Sequence, residues 1–446
     1  MRSVSGRLGG SRGCATTHDH VAFRVLCAQD APDHTTIARF RAAHEDAFAE
    51  LFAQVLVLCA QAGMGKVGSI AIDGTKIAAN ASLGANRTEE ALRRQARQVL
   101  TEADQVDATE DAEHGDARGD ELPEEFADPT GRRQRIRAAL EEIERQHRKA
   151  AEDDEADRVQ AEEYLRRVET GETLPRGRPP AGVDPERLQR ARLKAAEARW
   201  HQSAPGSRER AEAGRLRKQA GRALEEVLAS QEGSGSREGA AARHRRRRGT
   251  ATPQANTTDP DSRKMSCKTG GFLQGYNTQI AVSDDHLILA ATVSQDGNDN
   301  SSFEPMVSAA TTAAEAAGFG QVAMVLADAG YFSEHNLTLP GPDRLIAPGK
   351  HRDVMRAVRD DPADRPPPPE ATARQQMAHR LRDPDQYERY KRRSATVETV
   401  IAHLKDQIGL RRFNRRGRQA ATSELQLAAA VLNIRRLHGH LGVQGA

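Results

Sequence analysis

The 446-residue sequence is short of aromatic residues (4%) and of apolar residues in general (37%), while 29% of it is charged. So small an apolar share excludes one continuous core over the whole length and predicts that part of the chain is extended helix or disordered. No window reaches the roughly 18 apolar residues of a membrane span. The N-terminal "MRSVSGRLGGSRGCATTHDH" lacks the apolar centre of a secretory signal. A soluble, cytoplasmic protein without a membrane partner is therefore expected. Only four cysteines occur (Cys14, Cys27, Cys59 and Cys267), and they form no CxxC or Cys/His cluster. This spacing argues against both a structural zinc site and a disulfide framework.

The length allows two or three domains of about 150 residues. The net charge of only +2 hides strong segregation. "TEADQVDATEDAEHGDARGDELPEEF" is acidic, whereas Arg389–Arg436 holds "YKRR", "LRRFNRRGR" and "NIRR". Basic blocks of this kind suit a phosphate backbone, and equally a solvated helix face.

Residues 1–20 are Gly-, Ser- and Arg-rich without a period and are expected to be disordered. From 21 to 64 the apolar residues Ile37, Phe40, Phe48, Leu51, Phe52, Val55 and Leu56 recur at helical intervals, predicting a small helical N-terminal region. Residues 65–85 hold a first strand over 67–72. Residues 86–257 are rich in Ala, Glu, Arg and Gln. Within them "RQRIRAALEEIERQ" sets Ile136, Ala139, Leu140 and Ile143 at i, i+3, i+4 and i+7, the mark of an amphipathic helix. A charged, coiled helical insertion is expected there, ending in a flexible linker whose run Arg243–Arg248 could touch phosphates. Residues 258–446 read as a hairpin in "YNTQIAVSDDHLILAATVSQ", a helix in "SSFEPMVSAATTAAEAAG", buried strands in "QVAMVLADAGYFS" and "DRLIAPG", a Pro-rich loop, and an amphipathic helix in "ATVETVIAHLKDQIGL".

Two of the strands end alike, an apolar run followed by Asp and a Gly-containing turn: "SIAIDG" and "MVLADAG". On adjacent strands Asp73 and Asp328 would stand side by side, and like charges so close favour a cation between them. Their oxygen donors suit Mg²⁺, and with Glu398 on the later helix three carboxylates could clamp two metals about 3.5–4 Å apart. Asp-Gly is also a common turn pair. Spacing alone leaves both readings open.

"IAIDGTKIAANAS", "TDPDSRKM", "GGFLQGYNTQIAV", "LADAGYFS" and "YKRRSATVETVIAHLK" together resemble the DDE transposases of bacterial insertion sequences. They look most like the insertion-sequence group numbered eleven eighty-two, of the Tyr–Arg–Glu–Lys type. Tyr390, Arg393, Glu398 and Lys405 match that signature as Tyr-x2-Arg-x4-Glu-x6-Lys, with an Arg-to-Glu gap one residue longer than the commonest form. The resemblance covers roughly Val21 to Leu437. It implies an α/β, RNase H-like core, a mixed sheet flanked by helices, with a helical N-terminal region and a long insertion after the first core strand. It implies Asp73, Asp328 and Glu398 as catalytic metal ligands for Mg²⁺ or Mn²⁺ (two ions), with Gly74 turning the chain away beneath them. Tyr390, Arg393, Lys405, Lys76, Arg411 and Arg412 are the DNA-contacting residues it implies. The partners would be double-stranded DNA, both insertion-sequence ends and target, and a second copy of the chain on DNA. The region ahead of "HVAFRVLCAQDAPDHTTIARFR" is shorter than in relatives, so a non-catalytic DNA-binding remnant or repressor is an alternative, as is a nuclease that cleaves without joining.

Overall fold

A computed structural model of the chain describes residues 25, 32–99, 101, 129–170, 179–180, 182–232, 252–267, 270–363, 365–368 and 370–444. Residues 1–20, most of the acidic stretch and the run Arg243–Arg248 lie outside the described residues. The chain divides into two compact units, one formed by Met1–Asn86 with Ala255–Ala446, the other by Arg87–Gln254.

The first unit is built on a six-stranded mixed sheet. Its strands are β1 (Ser69–Ala78), β2 (Arg263–Ser266), β3 (Phe272–Ser283), β4 (Ile288–Ser294), β5 (Met324–Ala327) and β6 (Asp343–Ile346). β3 runs antiparallel to β1 on one side, and on its other side it takes β2 along its first half and β4 along its second. β1 continues into the parallel pair β5 and β6. The first half of β1 (Ser69–Ile72) and the four-residue β5 and β6 are largely buried and carry Ile, Val and Leu, as expected of strands covered on both faces. Such a mixed sheet flanked by helices is compatible with an RNase H-like core.

Helices α1 (His34–Ala43) and α2 (Ala47–Gln61) precede the sheet. Asp33 caps α1 by accepting from the Thr36 amide. The second unit holds α3 (Pro129–Glu169), α4 (Pro185–Gln202) and α5 (Arg208–Glu232). The predicted stripe falls in α3, with Ile136, Ala139 and Ile143 buried. Farther along, Leu165 and Val168 pack with Leu188 and Ala191 of α4. α4 starts where Asp184 accepts from the Glu186 amide and Pro185 opens the first turn. Trp200 at its end lies under the Arg210 guanidinium, 4.1 Å from the ring centre.

In the first unit α6 (Phe303–Ala317) stops at Gly318, left-handed at φ 85. The Pro-rich loop is flanked by helices that the sequence reading left unassigned: α7 (His351–Asp360) before it, and α8 (Ala373–Arg380) and α9 (Pro384–Arg393) after it. They are short and polar on average, yet α7 sets Val354 and Val358 at i and i+4, and α9 buries Tyr387 and Tyr390 at i and i+3, a pattern too brief to stand out beside the prolines. Thr372 caps α8 in a capping box with Gln375, and Asp383 caps α9 with Pro384 opening its first turn. α10 (Thr399–Asp406) and α11 (Arg418–Gln444) close the chain. α2 packs against both α6 and α11, which in turn pack on β4. Leu425, Ala428, Ala429 and Leu432 of α11 share one core with Phe52, Val55 and Leu56 of α2. Asn433 covers the free edge of β4, taking the Ile288 amide at 3.0 Å and donating to the Ile288 carbonyl at 2.9 Å.

Gly275 of β3 pairs with Ala78 of β1 and leaves no room for a side chain. A Cβ there would stand 2.3 Å from the Ile77 carbonyl oxygen. The Leu273 side chain, which stands nearer still, could turn aside, but this backbone oxygen would also have to give way. Gly275→Ala is expected to cost about 1–3 kcal/mol, read as a lowered urea midpoint at unchanged slope.

Candidate active site

The parallel pairing of β1 with β5 ends at Ile72 opposite Ala327. Asp73 and Asp328 each follow that last pair, so the register sets them side by side on the same face of the sheet. Asp328 ends β5 by accepting the Gly330 amide at 2.8 Å and starting a single 3-10 turn. Asp73 does not end its strand. β1 runs on through Ala78, with Asp73 paired to Ile280 and Gly74 to Gln279. The expected turn at Gly74 is thereby corrected: Thr75 and Ile77 carry the strand on, and the missing side chain makes room for something else.

What fills that room is Asp299. A Cβ on Gly74 would stand 2.3 Å from Asp299 Oδ1, and one on Gly330 would stand 3.1 Å from Asp299 Oδ2 and 3.0 Å from Asp328 Oδ1. Two buried amides hold Asp299 there, Asn277 Nδ2 at 2.8 Å and Gln279 Nε2 at 2.7 Å. Tyr331, fully buried, donates its hydroxyl to Gln279 Oε1. Burial pushes the Tyr331 phenol well above its usual range, and the charges of Asp299, Asp73 and Asp328 push the same way. Sequence reading missed Asp299. It stands in the polar turn "QDGNDN", where nothing but the start of α6 distinguishes it from Asp296.

Asp73 is buried, at 8% exposure. Burial raises its carboxyl above the usual range, Arg393 opposes the rise and the charge of Asp328 adds to it. Arg393 is the cation that answers this charge. Its guanidinium donates to Asp73 Oδ2 at 3.1 Å and to Glu398 Oε1 at 3.2 Å. Burial works against its own charge, but Asp73, Tyr390 and Asp328 more than offset that.

Arg393 meets Glu398 five residues on because Ser394–Glu398 is a π-helical turn between α9 and α10. The extra residue of such a turn brings i and i+5 to where i and i+4 lie in an α-helix. The turn therefore absorbs the longer Arg-to-Glu gap noted in the sequence. It selects Arg393 over its exposed neighbour Arg392. Its carbonyls find side-chain donors: Thr399 Oγ1 to Ala395 O at 2.7 Å, and the ring Nδ1 of His286 3.1 Å from Thr396 O. A carbonyl only accepts, so that nitrogen carries the proton. His286 itself takes the left-handed conformation, φ 66, at the tip of the β3–β4 hairpin.

The other sequence candidates divide. Tyr390 lies buried beside Arg393; burial raises its phenol, and Arg393 acts in the opposite direction. Lys405 reaches β1, where Nζ donates to Thr75 Oγ1. Lys76 instead donates to the Ser266 carbonyl at 2.6 Å. Arg411 pairs with Asp406, and the exposed Arg412 forms an isolated bridge through its backbone to Ala78. None of these three contacts the carboxylates in the hydrogen bonds and ion pairs described. The "TDPDSRKM" motif stands apart from Asp73 in role: buried Asp259 takes the Tyr276 hydroxyl at 2.8 and 2.9 Å and the Gly417 amide at 3.1 Å, and Asp261 accepts the Arg418 amide at 2.9 Å. It tethers the start of α11 to β3.

Among the described residues, no three His, Cys, Asp or Glu side chains converge so as to hold a metal ion. Glu398 is turned to Arg393 rather than to the two aspartates. Asp73 and Asp328 by themselves fit a hard divalent ion, which needs only one or two carboxylates and keeps its waters. Burial, and after it the charge of Asp328, raises the Asp73 carboxyl, and a bound cation would counter both.

Residues 367–438 match the family described as a transposase DDE domain. The match supports a DDE transposase. It takes in Tyr390, Arg393, Glu398 and Lys405 and leaves Asp73 and Asp328 outside. No curated protein and no solved structure matches the chain. No helix among the described residues is long and apolar enough to cross a membrane.

Removing Arg393 leaves a buried carboxylate without its counter-charge. Arg393→Ala is expected to cost about 2–3 kcal/mol in urea denaturation, and Arg392→Ala less than about 0.5 kcal/mol.

Proposed function

We propose that the chain is a metal-dependent DNA transposase with an RNase H-like catalytic core. It would cleave DNA at the ends of an insertion sequence and join them to a target. The observation that carries this reading is the adjacency of Asp73 and Asp328 on neighbouring strands, with Glu398 one guanidinium away on a segment that matches a transposase DDE domain.

Asp73 and Asp328 would hold Mg²⁺ or Mn²⁺, and Glu398 would join them once free of Arg393. When bound, such ions activate water or a 3′-hydroxyl and stabilise the leaving oxygen of a phosphodiester. The chain's own residues supply orientation. Asp73 lies within the paired strand β1 and Asp328 directly follows β5, so the two carboxylates are held by sheet backbone rather than by long loops. Asn277, Gln279 and Tyr331 keep Asp299 and the floor of the site in one arrangement. Lys405, anchored over Thr75, and the basic stretch Arg411–Arg418 offer phosphate contacts, which fix the register of DNA without reading its sequence. No side chain need form a covalent intermediate. Pairing two ends calls for a second copy of the chain on DNA.

The test is cleavage of a labelled duplex carrying the element's own ends, with Mg²⁺ or Mn²⁺. Nicking at the end is expected, falling at least about a hundredfold in Asp73→Asn and Asp328→Ala. Duplex binding without cleavage in any of the three proteins would instead identify a non-catalytic DNA-binding protein. Cleavage without a joined product would identify a nuclease.

A further inference from the structure

Arg393 occupies the place where Asp73 and Glu398 would share a cation. Its guanidinium touches both carboxylates, and the side chains of Arg393 and Asp73 are each only 12% exposed. Glu398, at 56%, and the half-buried Asp328 open the site to solvent on the other side. A divalent ion and the guanidinium cannot both lie between Asp73 and Glu398. Arginine stays protonated at any working pH, so it cannot yield by losing its charge. A divalent ion must therefore compete with its full charge, whereas an anion that binds the guanidinium would draw it off. A phosphodiester is the anion whose oxygens match the guanidinium fork as a carboxylate does.

We infer that Arg393 is a built-in counter-ion that keeps divalent cations off Asp73 and Glu398 until a DNA phosphate draws it away. This rests on the transposase reading above and adds regulation to that site. Phosphate and cation then help each other bind although they occupy different places, and linkage makes the effect reciprocal. The chain without DNA would carry little cation at these carboxylates, which guards against cleavage in the absence of a correctly seated strand. The π-helical turn belongs to the device, since it aims one arginine at both carboxylates.

The experiment titrates Mn²⁺ calorimetrically into the full chain without DNA, comparing the native protein with Arg393→Gln, Arg393→Lys and the double variant Asp73→Asn with Arg393→Gln. Arg393→Gln is expected to bind Mn²⁺ about fivefold or more tightly than the native chain, with a larger rise in Tm on adding Mn²⁺. Arg393→Lys, which keeps the charge but lacks the fork, should fall between the two and serves if the Gln variant does not fold. In a second arm, labelled duplex is titrated at constant ionic strength with EDTA or with Mn²⁺ and followed by anisotropy. Mn²⁺ should tighten duplex binding to the native chain and lose that effect in Arg393→Gln. Equal Mn²⁺ affinity in the native, Gln and Lys proteins would overturn the inference. Should Asp73→Asn added to Arg393→Gln leave the tighter Mn²⁺ binding of Arg393→Gln unchanged, the carboxylate site itself would fail, a separate result.

Discussion

A carboxylate buried at the centre of a sheet needs a positive charge beside it, and the geometry around Asp73 follows from that need. Removing such a group from water costs several kcal/mol unless a partner answers it. The neighbouring strand ends in a second carboxylate, which increases the demand. Arg393 meets it, and to do so α9 must pack on β1 and β5 while a π-helical turn brings Glu398 around to the same guanidinium. The β3–β4 hairpin then reaches over to the turn through His286. One unfavourable charge thus organises an arginine, a non-standard helix and a hairpin tip.

The two aspartates were legible because each follows a short apolar run that could only be a strand, and parallel pairing sets matching strand ends side by side. The helix over 303–317 was equally plain, with its apolar period and terminal Gly318. Gly74 was misread because Asp-Gly usually makes a turn, whereas here β-forming Thr75 and Ile77 keep the strand going and the glycine yields space to Asp299. That space is a tertiary fact. No local pattern links position 74 to position 299.

Why Arg393 reaches Glu398 across a gap one residue longer than the commonest form was closed to sequence reading. Helical periodicity assumes about 3.6 residues per turn, and a π-helical turn changes the count where the site needs it. The "TDPDSRKM" motif shows the converse error that a signature invites. Its Asp259 is more deeply buried than Asp73, yet its partners are Tyr276 and the start of α11, so its work is to hold the fold together. Burial of an acid does not by itself mark chemistry; what decides is whether its partners leave a face open to a ligand. Asp73 and Asp328 meet that condition, and Asp259 does not.

The most direct measurement is anomalous diffraction at the manganese edge from co-crystals of the full chain with a duplex and Mn²⁺. The account predicts a manganese peak between the Asp73 and Asp328 carboxylates, beside a phosphodiester, with the Arg393 guanidinium drawn off Asp73. No peak at that position, with Arg393 still joining Asp73 to Glu398 while DNA is bound, would contradict it.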